Sequence, residues 1–119
     1  MNIMKNEIIS FETAKLAKEK GVNFTSDGKV YNDIGLLCDN GFHNLDEIDI
    51  EYDIPAPTQS LLQRWLREVH NIFLTVEYSL SNDNWFYYLY KQEFNKYIHF
   101  KIYEKALEAG LLEALKLIK

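Results

Sequence analysis

The sequence predicts an α+β fold: an antiparallel sheet of at least three strands with two helices packed on one face. This gives an α-β-β-β-α order over 58–119, preceded by an N-terminal helix and short strands. Three patterns carry the prediction. Apolar residues recur at helical spacing after Thr58, and again from Tyr103 to Ile118. Between these two stripes, strand-like runs flank the polar group Ser81-Asn82-Asp83-Asn84.

The first helix is expected from Ser10, whose hydroxyl is a good N-cap. Glu12 falls in its first turn, where the helix dipole favours an anion. Phe11, Ala14 and Ala17 recur at helical spacing, with Leu16 beside them, and Gly21 follows Lys18 and Lys20 as a stop. Glu7-Ile8-Ile9 reads as a short strand. Ser26-Asp27-Gly28-Lys29 is a turn that releases the strand Lys29-Val30-Tyr31. Gly35-Leu36-Leu37-Cys38 fits either strand or loop, and Asp39-Asn40-Gly41 is a second turn. Ile48-Asp49-Ile50-Glu51-Tyr52-Asp53-Ile54 alternates apolar and acidic, as a half-buried strand does; Pro55 and Pro57 are expected to end it.

Thr58 caps the second helix. Leu61, Leu62, Trp65, Leu66 and Val69 form its buried stripe, with Gln59, Gln63, Arg64, Arg67 and Glu68 opposite. Arg64 and Glu68 stand one turn apart and can pair. A hairpin follows, with strands Ile72–Leu80 and Trp85–Lys91. Its pairing sets Leu80 against Trp85, Tyr78 against Tyr87 and Val76 against Leu89, with Ile72 and Leu74 extending that inner face. The other face carries Phe73, Thr75, Glu77, Ser79, Phe86, Tyr88 and Tyr90. A third strand over Tyr97–Lys101 turns Ile98 and Phe100 inward, and Tyr97, His99 and Lys101 outward. The last helix, about Tyr103 to Ile118, buries Tyr103, Leu107, Gly110, Leu111, Ala114 and Ile118. Gly110 predicts a close approach of helix to sheet, because Gly in a helix interior otherwise costs about 1 kcal/mol.

The chain has 119 residues, 47% hydrophobic and 26% charged. That suits one globular domain over 1–119 and excludes a disordered or collagen-like chain. No apolar run nears the roughly 18 residues of a membrane span. Met1–Ser10 lacks the features of a signal peptide. The single cysteine, Cys38, forms no internal disulfide, so a reducing, cytoplasmic setting is expected. The net charge is −5, split unevenly. Residues 1–57 hold five lysines against eleven acids, while residues 58–119 hold eight basic residues against seven acids. Overall charge therefore repels a phosphate backbone, although the second half has room for a local basic patch.

Candidate chemistry is sparse. Asp49, Glu51 and Asp53 share one strand face, with Asp46 and Glu47 just before. Three carboxylates suit Ca²⁺ or Mg²⁺, but a straight strand does not converge them on one ion, and a solvated face that deters edge pairing is the ordinary reading. Cys38 and His43 flank a glycine turn without the further ligands of a metal site or the base and orienting group of a nucleophile. His70 at a helix end and His99 on a sheet face have no sequence partner. Phosphate-cradling and hydrolase motifs are absent. No catalytic residue, metal or cofactor is therefore expected. The outer sheet face is the candidate interaction surface: Phe73, Phe86, Tyr88, Tyr90, Tyr97, His99 and Lys101, with Arg64 and Arg67 nearby. Either residues 1–57 or a partner can cover it. The expected role is a non-enzymatic accessory domain that binds another protein or a second copy of itself. The alternative is a nucleic-acid module that stacks bases on this face, using Arg64, Arg67, Lys91, Lys96 and Lys101.

Ala56-Pro57-Thr58-Gln59-Ser60-Leu61-Leu62-Gln63-Arg64-Trp65-Leu66-Arg67-Glu68-Val69-His70-Asn71-Ile72 resembles a recurrent stretch in small uncharacterised proteins from phages and prophages of the Bacteroidota. Residues 10–21 and 103–118 are similar to the first and last helices of those proteins. The resemblance implies a mobile-element origin and no particular activity. The α-β-β-β-α order also resembles that of double-stranded RNA-binding domains. Their last helix starts basic; here it starts Tyr103-Glu104-Lys105-Ala106, so the phosphate grip is missing.

Overall fold

A computed structural model describes residues 7–39, 53–90 and 98–119. Among the described residues the architecture is α+β, with three helices and two three-stranded antiparallel sheets. The chain divides into two compact units, Met1–Leu61 and Leu62–Lys119.

In the first unit, α1 spans Phe11–Glu19. Ser10 caps it as expected: Ser10 Oγ accepts from the Thr13 amide at 3.2 Å and donates to Thr13 Oγ1 at 3.0 Å. Thr13, Ala14 and Ala17 are its buried residues. Thr13 enters the core because its hydroxyl is satisfied within the cap. The Glu7-Ile8-Ile9 segment makes one bridge, Ile8 with Thr58, rather than a strand.

β1 spans Lys29–Tyr31 and pairs with β2, Leu37–Asp39, and with β3, Ile54–Pro55. The turn into β1 has Asp27 and Gly28 both at positive φ, 51° and 68°, as a type I′ turn requires. β3 ends at Pro55, as expected, but Pro55 itself belongs to the ladder. It pairs with Val30, and the Ala56 amide extends the ladder to the Lys29 carbonyl at 3.1 Å. An edge position permits this, since proline there withholds only a donor that faces away from the sheet. The expected strand over 48–54 and the turn at Asp39-Asn40-Gly41 lie mostly outside the described residues, as do Asp46, Glu47, Asp49, Glu51 and His43.

α2, Gln59–His70, crosses from one unit into the other. Thr58 caps it, accepting from the Leu61 amide at 3.3 Å. Leu62 and Leu66 are fully buried, but Val69 is 62% exposed in the last turn, where the core stops short of it. Gln59, expected outside, is buried. It sits one turn before Leu62 and two before Leu66, on their stripe, and its polarity hid that position. Asn71 ends the helix at φ 57°, and the Ile72 amide returns to the Leu66 carbonyl.

The second unit holds the sheet β4-β5-β6: Leu74–Ser79, Asn84–Leu89 and His99–Phe100. The hairpin register differs by two residues from the expected one. Tyr78 pairs with Trp85, Val76 with Tyr87 and Leu74 with Leu89. The loop closes earlier, at Leu80–Asp83, because Asp83 takes the left-handed conformation at φ 53° and Ser79 pairs with Asn84. Leu80 therefore sits at the tip, 89% exposed, rather than against Trp85. A shift of two preserves every side chain's face.

α3, Tyr103–Lys116, lies on the Leu74–Tyr87 face. Ala106, Leu107, Gly110, Leu111, Ala114 and Leu115 are buried. Tyr103 stays 39% exposed while meeting Trp85 edge-on at 5.2 Å. The third strand is shorter than expected, leaving Ile98 half exposed ahead of it.

Candidate functional site

Phe73 and Tyr90 face each other one rung beyond the β4–β5 ladder, the Tyr90 amide donating to the Phe73 carbonyl at 3.0 Å. With Thr75 and Tyr88 they share the face opposite α3, as alternation dictates. Phe73 is 37% exposed and Tyr90 51% exposed. The Tyr88 ring meets Tyr90 edge-on at 5.0 Å. Farther along the face, Phe86 meets the ring of His99 at 5.7 Å.

Two residues of α2 border the same end of the sheet. Gln63 and Arg67 stand one turn apart, on one side of the helix. The Gln63 side-chain amide donates to the Leu74 carbonyl at 2.8 Å, which orients the helix against the start of β4. Gln63, Arg67, Phe73, Leu74, Thr75 and Tyr90 enclose a cleft of about 380 Å³. That lies in the range of small binding pockets.

The polar groups of the cleft differ in their commitments. Gln63 is engaged with Leu74. Arg67 is exposed and makes no ion pair among the described residues. Thr75 Oγ1 is buried without a hydrogen-bond partner among the described residues. A buried hydroxyl left unsatisfied costs about 1–3 kcal/mol. Arg64, the other expected arginine, is occupied: its Nε lies 3.2 Å from both carboxylate oxygens of Glu68. Both of those side chains are more than half exposed, so the pair adds little stability.

The structure thus brings Arg67, Phe73 and Tyr90 together at one cleft, with Tyr88 against Tyr90, and leaves Arg64, Phe86, His99 and Lys101 outside its lining. Phe86, Tyr88 and His99 are half-buried, not an open platform. Lys101 is exposed beyond β6. Tyr97, Lys91 and Lys96 lie outside the described residues. Gln63 and Thr75 join the site unforeseen. Helical spacing from Arg67 was the available signal for Gln63, and strand alternation from Phe73 for Thr75.

Elsewhere, Cys38 is half-buried opposite Val30, its thiol 3.5 Å from the Leu36 carbonyl. His70 packs edge-on against Trp65 at 4.5 Å. Among the described residues no group of three or more His, Cys, Asp or Glu is placed to hold a metal ion. Among them, too, no helix is long and apolar enough to cross a membrane. Comparison with protein families, curated proteins and solved structures gives no match.

Proposed function

We propose that the chain is a non-enzymatic accessory protein that works by binding another protein, a second copy of itself included. Its contact surface is the end of the β4-β5-β6 sheet where Phe73 and Tyr90 stand beside Arg67. The carrying observation is the grouping of two exposed aromatic rings around one cleft with a guanidinium that has no ion pair among the described residues. Aromatic residues and arginine dominate the energetic centres of protein interfaces, because they bury large areas and keep a polar handle.

The nucleic-acid alternative draws less support from the same face. The net charge is −5, Arg64 is neutralised by Glu68, and the middle aromatics of the face are half-buried.

The test is a photo-crosslinking residue placed at Tyr90 in the full chain, with one at Leu80 as control. A discrete protein adduct from position 90 and none from position 80 supports the reading. Equal adducts from both positions, or none at all, reject it. A gel-shift assay at two salt concentrations decides on the alternative, since binding to a phosphate backbone falls steeply with salt.

A further inference from the structure

Resting on that docking reading, we infer that the cleft recognises a carboxylate carried beside an aromatic side chain in the partner protein. Arg67 supplies the charge argument: it is the cation of the cleft and has no counter-ion among the described residues. A guanidinium offers paired donors that fit a carboxylate in two parallel bonds. Phe73 and Tyr90, both exposed, supply flat surfaces for a ring. The Thr75 hydroxyl, buried and without a partner among the described residues, supplies a donor and an acceptor in the cleft lining. No polar group among the described residues uses it, which leaves it free to bond a ligand.

Glu77 limits where the anion sits. It is exposed on the same face, two residues along β4 from Thr75, or roughly 7 Å away. A carboxylate at that end meets a like charge. The Arg67 end is the one that accepts it, and the ring then lies along Phe73 and Tyr90. The volume, about 380 Å³, admits one aromatic residue and its carboxylate rather than a long segment.

The experiment titrates the ¹⁵N-labelled full chain with short peptides and follows the Thr75 and Tyr90 amides. One peptide ends in Trp with a free carboxylate. A second carries Glu beside an internal Trp. Two controls are the amidated form of the first and the Gln form of the second. Saturable shifts from either acidic peptide, at least about tenfold tighter than from its neutral control, support the inference, and the pair shows which carboxylate is used. Arg67→Gln should abolish that preference. Thr75→Val should weaken binding several-fold without lowering the urea midpoint, because the hydroxyl has no bond to lose among the described residues. Equal affinity for acidic and neutral peptides overturns the inference. So does phenylacetate alone binding as tightly as the peptides, or no saturable shift at millimolar peptide. A Tyr90 crosslink that persists despite such a result leaves the docking surface standing and rejects only the carboxylate chemistry.

Discussion

Gly110 of α3 lies so close to β4 that a Cβ built on it would sit 2.6 Å from Leu74 Cδ1. The same atom would be 3.0 Å from Cβ and Cγ of Tyr87. The Leu74 methyl can rotate away; Tyr87 Cβ is fixed to the strand backbone and cannot. Helix and sheet meet at the distance that a missing side chain allows.

Gly110→Ala therefore sets two effects against each other. Alanine gains about 1 kcal/mol of helix propensity. Overpacking in a filled core costs about 1–3 kcal/mol. We expect a net loss of about 1 kcal/mol, and a larger loss for Gly110→Val. Urea unfolding measures both. A rise in the midpoint for Gly110→Ala would mean that α3 can move off the sheet at no cost.

Ser10 satisfies two groups at once, the Thr13 amide and the buried Thr13 hydroxyl. Ser10→Ala removes both bonds and leaves a polar side chain that is 1% exposed. The expected loss is about 1–2 kcal/mol. Thr13→Val in the Ser10→Ala background should recover part of it, since no hydroxyl is then stranded. A thermal melt of the three variants gives the comparison, and an additive rather than compensating double variant would reject the shared role.

The hairpin separates what the sequence can reveal from what it cannot. Alternation assigns Leu74, Val76 and Tyr87 to one face and Phe73, Thr75 and Tyr88 to the other, and the pairing keeps those assignments. The register depends instead on which polar residue turns left-handed. Asp83 and Asn84 are both suited to it, and only the backbone shows that Asp83 does so. At the site, aromatic character and charge singled out Phe73, Tyr90 and Arg67. Spacing puts Gln63 on the side of Arg67 and Thr75 on the face of Phe73, but that α2 borders the start of β4 is encoded by no local pattern. Gln59 escaped for a related reason: a polar residue on a helical stripe looks like a surface residue until its neighbours are seen.

The register has a measurable consequence. Leu80 lies at the exposed tip, and Leu89 is fully buried opposite Leu74. Leu80→Ser should change stability by less than about 0.5 kcal/mol. Leu89→Ala should cost about 2–5 kcal/mol through lost burial and a residual cavity. A large loss at Leu80 in chemical denaturation would restore the pairing with Trp85 and refute the observed loop.

Tyr87 links the core to pH. It is 8% exposed on the face that meets α3. Burial raises its phenol above the ordinary value of 10.0, and the nearby Glu113 carboxylate raises it further. Both causes disfavour the phenolate in the folded chain. Once pH exceeds about 10, the unfolded chain releases this proton while the folded chain keeps it. The folded state then binds more protons than the unfolded state, so stability falls as pH rises. Below that range the contribution is fully present and independent of pH. Tyr87→Phe should flatten the alkaline decline in the urea midpoint relative to the parent chain. Glu113→Gln should flatten it less, because it removes only the smaller cause. Both comparisons cancel the titration of the other tyrosines and the lysines. An unchanged alkaline slope in Tyr87→Phe would mean that the phenol titrates alike in both states, contrary to its burial against α3.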